Sequence, residues 1–244
     1  VHVAEVIEGE EPTVYYIESF NDAGALDNSL PVGWRTAGTI DASREAGART
    51  IQTEGERTYY SVDASGNSPR YVGKVLTEVS KTGWIEYDFK FEEVTDEQWG
   101  LGLGFQSGSV NGRNPSIRGM IMPNGDVKFY NGSTNVTIAN IKHKGWVHFA
   151  YEFNNNEKTF VVKITDAETG ETIGKTAEAF AYNDAAGQVG TVVFNVSSNQ
   201  SAKFGVDEIQ VYGYITPFEF VPEITGGLEQ TGKVELTETD TEYI

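Results

Sequence analysis

From Lys144 to Val162 the chain alternates apolar and polar residues with a period of two. Val147, Phe149, Tyr151 and Phe153 fall on one side, and His148, Ala150 and Glu152 on the other. Alternate residues of a strand point to opposite faces, so this pattern predicts a half-buried β-strand. Asn154, Asn155 and Asn156 supply a polar reversal. Phe160, Val162 and Ile164 then resume the period, which predicts a hairpin. Trp84–Phe91 follows the same rule, with Ile85, Tyr87, Phe89 and Phe91 reading as the core face and Glu86 and Asp88 as solvent-facing. In Phe204–Tyr212 the inward parity changes. Phe204 and Val206 are in step, but Ile209 and Val211 are out of step with them, which predicts a β-bulge at Asp207-Glu208.

The first strand is expected at Val14–Phe20, followed by a loop rich in turn formers that ends at Trp34. Further strands are expected at 49–53, 59–62, 71–76, 100–106, 117–122, 126–130, 136–141, 171–177 and 190–196. Strands this short and evenly spaced signal an antiparallel sandwich or barrel rather than βαβ units. Asn124-Gly125 between apolar runs is the strongest short hairpin signal in the chain. Asp166–Glu171 reads as a Gly-containing loop between two strands. No amphipathic helix and no internal repeat is evident. Residues 1–13 read as an acidic linker, 14–216 as one β domain, and 217–244 as an extension or the start of a neighbouring module.

Thirteen Phe, twelve Tyr and four Trp supply material for a large core. The formal net charge of −18 repels nucleic acid and anionic membranes. It suits a secreted protein that must stay soluble, or one that holds Ca²⁺. There is no cysteine, so disulfide and thiolate chemistry are excluded. A secreted domain of this size without disulfides points to a bacterial extracellular source. No apolar run approaches the roughly 20 residues of a membrane-spanning helix. The chain opens without Met, so we expect a piece of a longer, multimodular protein.

Four segments together carry a family resemblance. They are Ile17-Glu-Ser-Phe-Asn-Asp22 with Pro31-Val-Gly-Trp34, Tyr60–Pro69 with Gly83–Phe91, the Gly145-Trp146 strand, and Phe204–Tyr212. They resemble the concanavalin A-like β-jelly-roll modules, in particular the laminin-G-like ones appended to bacterial polysaccharide-degrading enzymes. The resemblance covers about residues 14–215 and rests on diffuse motifs, so it speaks to fold more than to function. It implies two packed antiparallel sheets, one convex and one concave. It also implies a structural Ca²⁺ clamping the first and last strands, and sugar binding on the concave face or at the loop rim.

A bulge at Asp207-Glu208 would turn a carboxylate away from the ladder, where a hard, oxygen-seeking cation can use it. If first and last strands are neighbours, Glu18 and Asn21 are its natural co-ligands, with Asp22 in reserve. A local site at Asp27 and Asn28, or simply a solvated acidic pair, are the alternatives.

In Trp99-Gly-Leu-Gly-Leu-Gly-Phe-Gln106, Leu101, Leu103 and Phe105 share one face and Gly100, Gly102 and Gly104 the other. A bare glycine face admits a ligand, another backbone or a large ring. It reads either as the floor of a sugar cleft, with Trp99 or Trp84 as stacking ring, or as a groove that a neighbouring aromatic fills. The polar segment Asn111–Arg118 reads as a rim. There Arg113 would hold a uronate carboxylate, and Asn111 and Asn114 would hold hydroxyls. Tyr130, beside Asn131, would extend the same rim. Trp146 reads as a core residue at the start of its strand.

Glu86 and Asp88 lie two apart on one strand face, a pair of the kind that serves glycoside hydrolases, but Lys90 stands where a third acid is wanted. His143 and His148 sit in no recognisable lyase motif. No metal-binding His pair, nucleophile elbow or phosphate loop occurs. Four Asn-x-Ser/Thr sequons, at Asn131, Asn135, Asn195 and Asn199, read as turn and strand residues in a bacterial chain. The sequence therefore leads to an all-β, two-sheet antiparallel jelly roll. Its expected role is a non-catalytic carbohydrate-binding module with a structural Ca²⁺, bound to poly- or oligosaccharide beside other modules of its chain. A spacer or adhesin module without sugar binding, and a lyase or hydrolase of the same fold, are the alternatives.

Overall fold

The structure is a computed structural model, and it describes residues 12–21, 26–27, 30–31, 33–37, 49–64, 70–76, 81–106, 115–196 and 200–213. Of the expected linker at 1–13, residues 1–11 lie outside the described residues, as do the extension at 217–244, Asp22 and Asn28, whereas Thr13 is already strand.

Two antiparallel sheets face each other. The first is built on β8 (Thr82–Val94), which pairs with β13 (Trp146–Asn154) on one side and β18 (Ala202–Gly213) on the other. Outward from β13 come β14 (Thr159–Asp166) and then β15 (Thr172–Lys175) and β16 (Phe180–Ala181). The far edge of β18 is shared. Its first half pairs with β6 (Arg57–Ala64), which carries β5 (Arg49–Glu54), and its second half pairs with β1 (Thr13–Glu18). The second sheet runs β12 (Asn135–Asn140), β11 (Asp126–Tyr130), β10 (Ile117–Ile121), β9 (Leu101–Phe105), β17 (Thr191–Val196), β7 (Arg70–Val75) and β4 (Trp34–Ala37). The small ladder of β2 (Leu26–Asp27) and β3 (Leu30–Pro31) stands apart.

The expected strands are present within a few residues at each end, and no helix occurs among the described residues. The short strands β4 and β16 were not legible, because four and two residues carry too little periodicity to read. The Asn124-Gly125 turn closes β10–β11 with Gly125 at φ 83°. The bulge on β18 lies where expected. Its ladder with β8 shifts between Asp207 and Gln210, and Glu208 takes φ 49°. It sits where the other edge of β18 changes partner from β6 to β1, so the extra residue falls at a break in pairing.

The core is a layer of aromatic rings. Tyr87 stacks on Phe149 and Tyr151, and Phe89 stacks on Phe204, while Phe105, Phe129 and Phe194 enter from the second sheet. Trp146 corrects one expectation. It is buried but outside this core, on the opposite face of the first sheet. Arg57 lies over its ring at 4.5 Å, Tyr59 meets it edge-on, and a β-carbon on Gly205 would lie 2.9 Å from its Cη2.

The hydroxyls of Tyr87 and Tyr151 are fully buried and bonded to each other at 2.8 Å, and burial pushes both phenols well above their ordinary range. Removing one hydroxyl strands the other without a partner, at about 1–3 kcal/mol, whereas removing both leaves an apolar contact. Tyr87→Phe and Tyr151→Phe should each lower the denaturant midpoint, and the double variant should lose clearly less than the sum. Additive losses in a double-mutant cycle would contradict this account.

Candidate functional site

The outer face of the second sheet carries a groove of about 350 Å³ along β9. Leu101, Leu103 and Phe105 plug into the core, so Gly102 and Gly104 face outward, between Met120 and Arg118 of β10 and Asn195 and Val193 of β17. The space left by the missing side chains is not filled by a ring. A β-carbon on Gly102 would collide with the amide of Asn195, and one on Gly104 would press on Val193 and Pro115. The groove floor is thus backbone and one amide, both able to bond hydroxyls.

Trp99 stands at the end of this groove, 48% exposed. A tight turn presents it. The Asp96 carboxylate accepts the amides of Gln98 and Trp99, and the Gly100 amide bonds the Asp96 carbonyl. Gly100 then takes φ 62°, where a side chain would be strained and would run into the Ile121 carbonyl. Gly100 therefore serves the turn rather than the bare strand face. The Arg118 guanidinium lies over the Trp99 ring, 5.1 Å from its centroid, so the cation takes one face of the ring.

Trp99 is the one expected ligand-binding residue that lines the groove. Tyr130 lies two strands away on the same sheet, does not line the groove, and donates to the Gly132 carbonyl. Arg113, Asn111 and Asn114 lie outside the described residues. Trp84 is on the other sheet, stacked on Tyr212. Arg118, Asn195 and Met120 were not anticipated as groove residues. Period two on β10 and β17 put them on the outward face, but only strand order makes β10 and β17 the neighbours of β9. Of the sequon asparagines, Asn131 acts structurally, accepting the amides of Ser133 and Thr134, while the Asn195 amide lies over Gly102 in the groove.

The calcium set of Glu18, Asn21 and Asp207 is not brought together. First and last strands do pair, but Glu18 stands opposite Ile209, whose side chain is in the core. Its oxygens accept the Tyr16 hydroxyl and the Phe20 amide. Asp207 points from the opposite face of the sheet, towards Asp88 and Arg57. A sheet lies between them, so these residues do not fit one Ca²⁺ ion. Asn21 is exposed, and among the described residues no cluster of three His, Asp or Glu is placed to hold a metal.

Asp207 belongs instead to a polar strip across the outer face of the first sheet. Tyr212 donates to Glu86 at 2.7 Å, His148 Nδ1 donates to Asp88 at 2.8 Å, and Arg57 donates to the other Asp88 oxygen at 2.6 Å. Arg57 also reaches Asp207 at 3.6 Å, and Lys90 pairs with Glu54. Glu86 and Asp88 therefore leave the core as expected, but Asp88 is only 7% exposed and both its oxygens are engaged. Desolvation and the Glu86 carboxylate hold the Tyr212 phenol well above its ordinary range, so it is no base at neutral pH.

Desolvation raises the Asp207 carboxyl to about 6, with one oxygen buried and unbonded; the Glu208 amide and Arg57 only partly oppose this. The Asp88 hydrogen bond raises the His148 imidazole despite its partial burial. Both groups bind protons more tightly folded than unfolded. The Asp207 penalty at neutral pH therefore fades as pH falls through 6 towards about 4. The His148 contribution is complete below about 6.5 and is lost as pH rises through its higher folded value. Asp207→Asn should raise stability at pH 7.5 by about 1–2 kcal/mol, and thermal melts should show the gain disappearing near pH 4. A loss at pH 7.5 would mean that the Arg57 pairing outweighs burial.

No protein-family model matches the chain, and no curated protein matches it in sequence. Its fold is found in solved structures. A sialidase superposes over 82% of this chain at TM-score 0.57 and 11% identity, and the chain spans only 18% of that protein's length. The catalytic domain of a glycoside hydrolase family 131 protein from Coprinopsis cinerea matches over 84% of this chain and 95% of its own, at TM-score 0.53 and 14% identity. Arcelin-5, a lectin-like defense protein from Phaseolus vulgaris, covers 85% of this chain and 100% of its own at TM-score 0.47 and 10% identity. Among the described residues no helix is long and apolar enough to cross a membrane. The chain is thus an all-β, two-sheet antiparallel jelly roll, a fold it shares with the glycoside hydrolase family 131 catalytic domain.

Proposed function

We propose that this domain is a non-catalytic carbohydrate-binding module of a secreted, multimodular polysaccharide-degrading protein. The observation that carries the reading is an exposed Trp99 at the end of an open groove floored by glycine backbone and the Asn195 amide. Sugar rings offer C–H faces that pack on an aromatic ring, and hydroxyls that need fixed polar partners beside it. Trp99 supplies the first; Asn195, Arg118 and exposed backbone supply the second. Trp99 is held by the Asp96 turn before any ligand arrives, so binding orders little and loses little entropy. The groove is short, so contact is with a few sugar units and affinity is modest. Attachment to a catalytic neighbour then raises the effective concentration of enzyme at the polymer. The same fold in a glycoside hydrolase catalytic domain supports a glycan partner over a spacer or adhesin role without sugar.

A catalytic reading is favoured by one specific observation, the convergence of Glu86, Asp88, Arg57, His148 and Tyr212 on the outer face of the first sheet. The mutual pairing of these groups favours a structural network instead.

Affinity electrophoresis against plant and microbial polysaccharides should show retardation by at least one polymer. Trp99→Ala should weaken it by about ten-fold or more while leaving the melting temperature within a few degrees. No retardation by any polymer would overturn the binding reading. Release of reducing ends or unsaturated product, lost in His148→Ala but kept in Trp99→Ala, would establish the catalytic one.

A further inference from the structure

We infer that the groove selects a carboxylate-bearing sugar, a uronate unit, and that Arg118 reads its charge. The inference rests on the groove being a glycan site and adds the class of glycan.

Charge is divided unequally between the two sheets. Among the described side chains, the strands of the first sheet carry eleven carboxylates against five Lys and Arg. Those of the second carry three cations, Lys74, Arg118 and Lys128, and a single carboxylate, Asp126. Asp126 is taken up by Asn124 and Asn140 in the β10–β11 turn. In a chain of net charge −18, the sheet that bears the groove is cationic.

Arg118 is the cation inside the groove. Among the described residues it forms no ion pair, whereas Arg57, Lys90 and Lys203 each hold a carboxylate. The neighbouring β9–β10 segment, Ser107-Gly-Ser-Val-Asn-Gly-Arg-Asn114, contains no acid that could serve as its partner. Arg118 instead lies over one face of the Trp99 ring, 5.1 Å from its centroid, which positions the guanidinium without neutralising it. A planar fork next to an aromatic platform matches a pyranose whose carboxylate projects from the ring edge. The ring packs on Trp99 and the carboxylate accepts two parallel N–H bonds. One guanidinium balances one negative charge, which favours a carboxylate over a phosphate dianion.

The overall negative charge does not oppose this. The acidic strip lies on the outer face of the other sheet, with the packed core between it and the groove, so its carboxylates make no contact with Arg118. The groove responds to its own sheet.

The test uses the whole chain and calorimetric titration. The probes are short oligomers of galacturonate, glucuronate, and mannuronate with guluronate, each compared with its methyl ester, which keeps the ring and removes the charge. At least one acid should bind about ten-fold or more tightly than its ester. Arg118→Gln should lower acid binding far more than ester binding, which erases that preference. Arg118→Lys, which keeps charge without the fork, should fall between. Equal affinity for acid and ester, or equal loss of both in Arg118→Gln, would overturn the uronate inference and leave a neutral-glycan site. Failure of all three acids while a neutral polymer is retained would do the same. No binding of any glycan would overturn both readings.

Discussion

The strict alternation of β8, paired on both edges, is the constraint on which everything else depends. Ile85, Tyr87, Phe89 and Phe91 enter the core, and Glu86, Asp88 and Lys90 leave it. A slip of one residue against β13 or β18 would bury three charges and expose the central rings, so the register is fixed by a large energy gap. The aromatic layer then fixes the second sheet by packing, and with it the outward direction of Gly102 and Gly104. The groove is a consequence of core register on strands that never touch its contents.

The two outer faces solve different physical problems. On the first sheet polar groups are many, and they satisfy one another. Asp88 serves His148 and Arg57, Trp146 lies under Arg57, and the space above Gly205 is filled by Trp146 and Tyr59. In the groove of the second sheet polar groups are few, and Arg118 lies over the Trp99 ring with no ion pair among the described residues. A closed network stabilises or tunes a fold; unspent donors beside an exposed ring are what a ligand needs. This contrast, more than the number of charged residues on either face, decides which one we read as the site.

The bulge on β18 shows how one local feature can mislead. Its position was legible from the parity change, and a bulge that frees a carboxylate is a reasonable place to look for Ca²⁺. Which face that carboxylate takes depends on how many residues the bulge absorbs and where the ladder resumes. Here it resumes at Gln210, which puts Asp207 with Asp88 and leaves Glu18 across the sheet. Trp146 misled in the same way. Its neighbour Val147 begins the core face, and a large apolar ring one position earlier looks like core until a partner for it appears outside.

The sequence by itself determined the longer strands, both turns with left-handed or capped residues, the core faces of β8, β13 and β14, the bare glycine face of β9 and the bulge. All of these are local, set by a period of two and by the backbone preferences of Gly, Asn and Asp. Only the tertiary structure decided which strands are neighbours, and therefore that Arg118 and Asn195 flank Gly102 and Gly104 while Tyr130 and Trp84 do not. Strand order joins segments far apart in the chain through a shared core. Periodicity says which way a side chain points, and carries no record of what it will point beside.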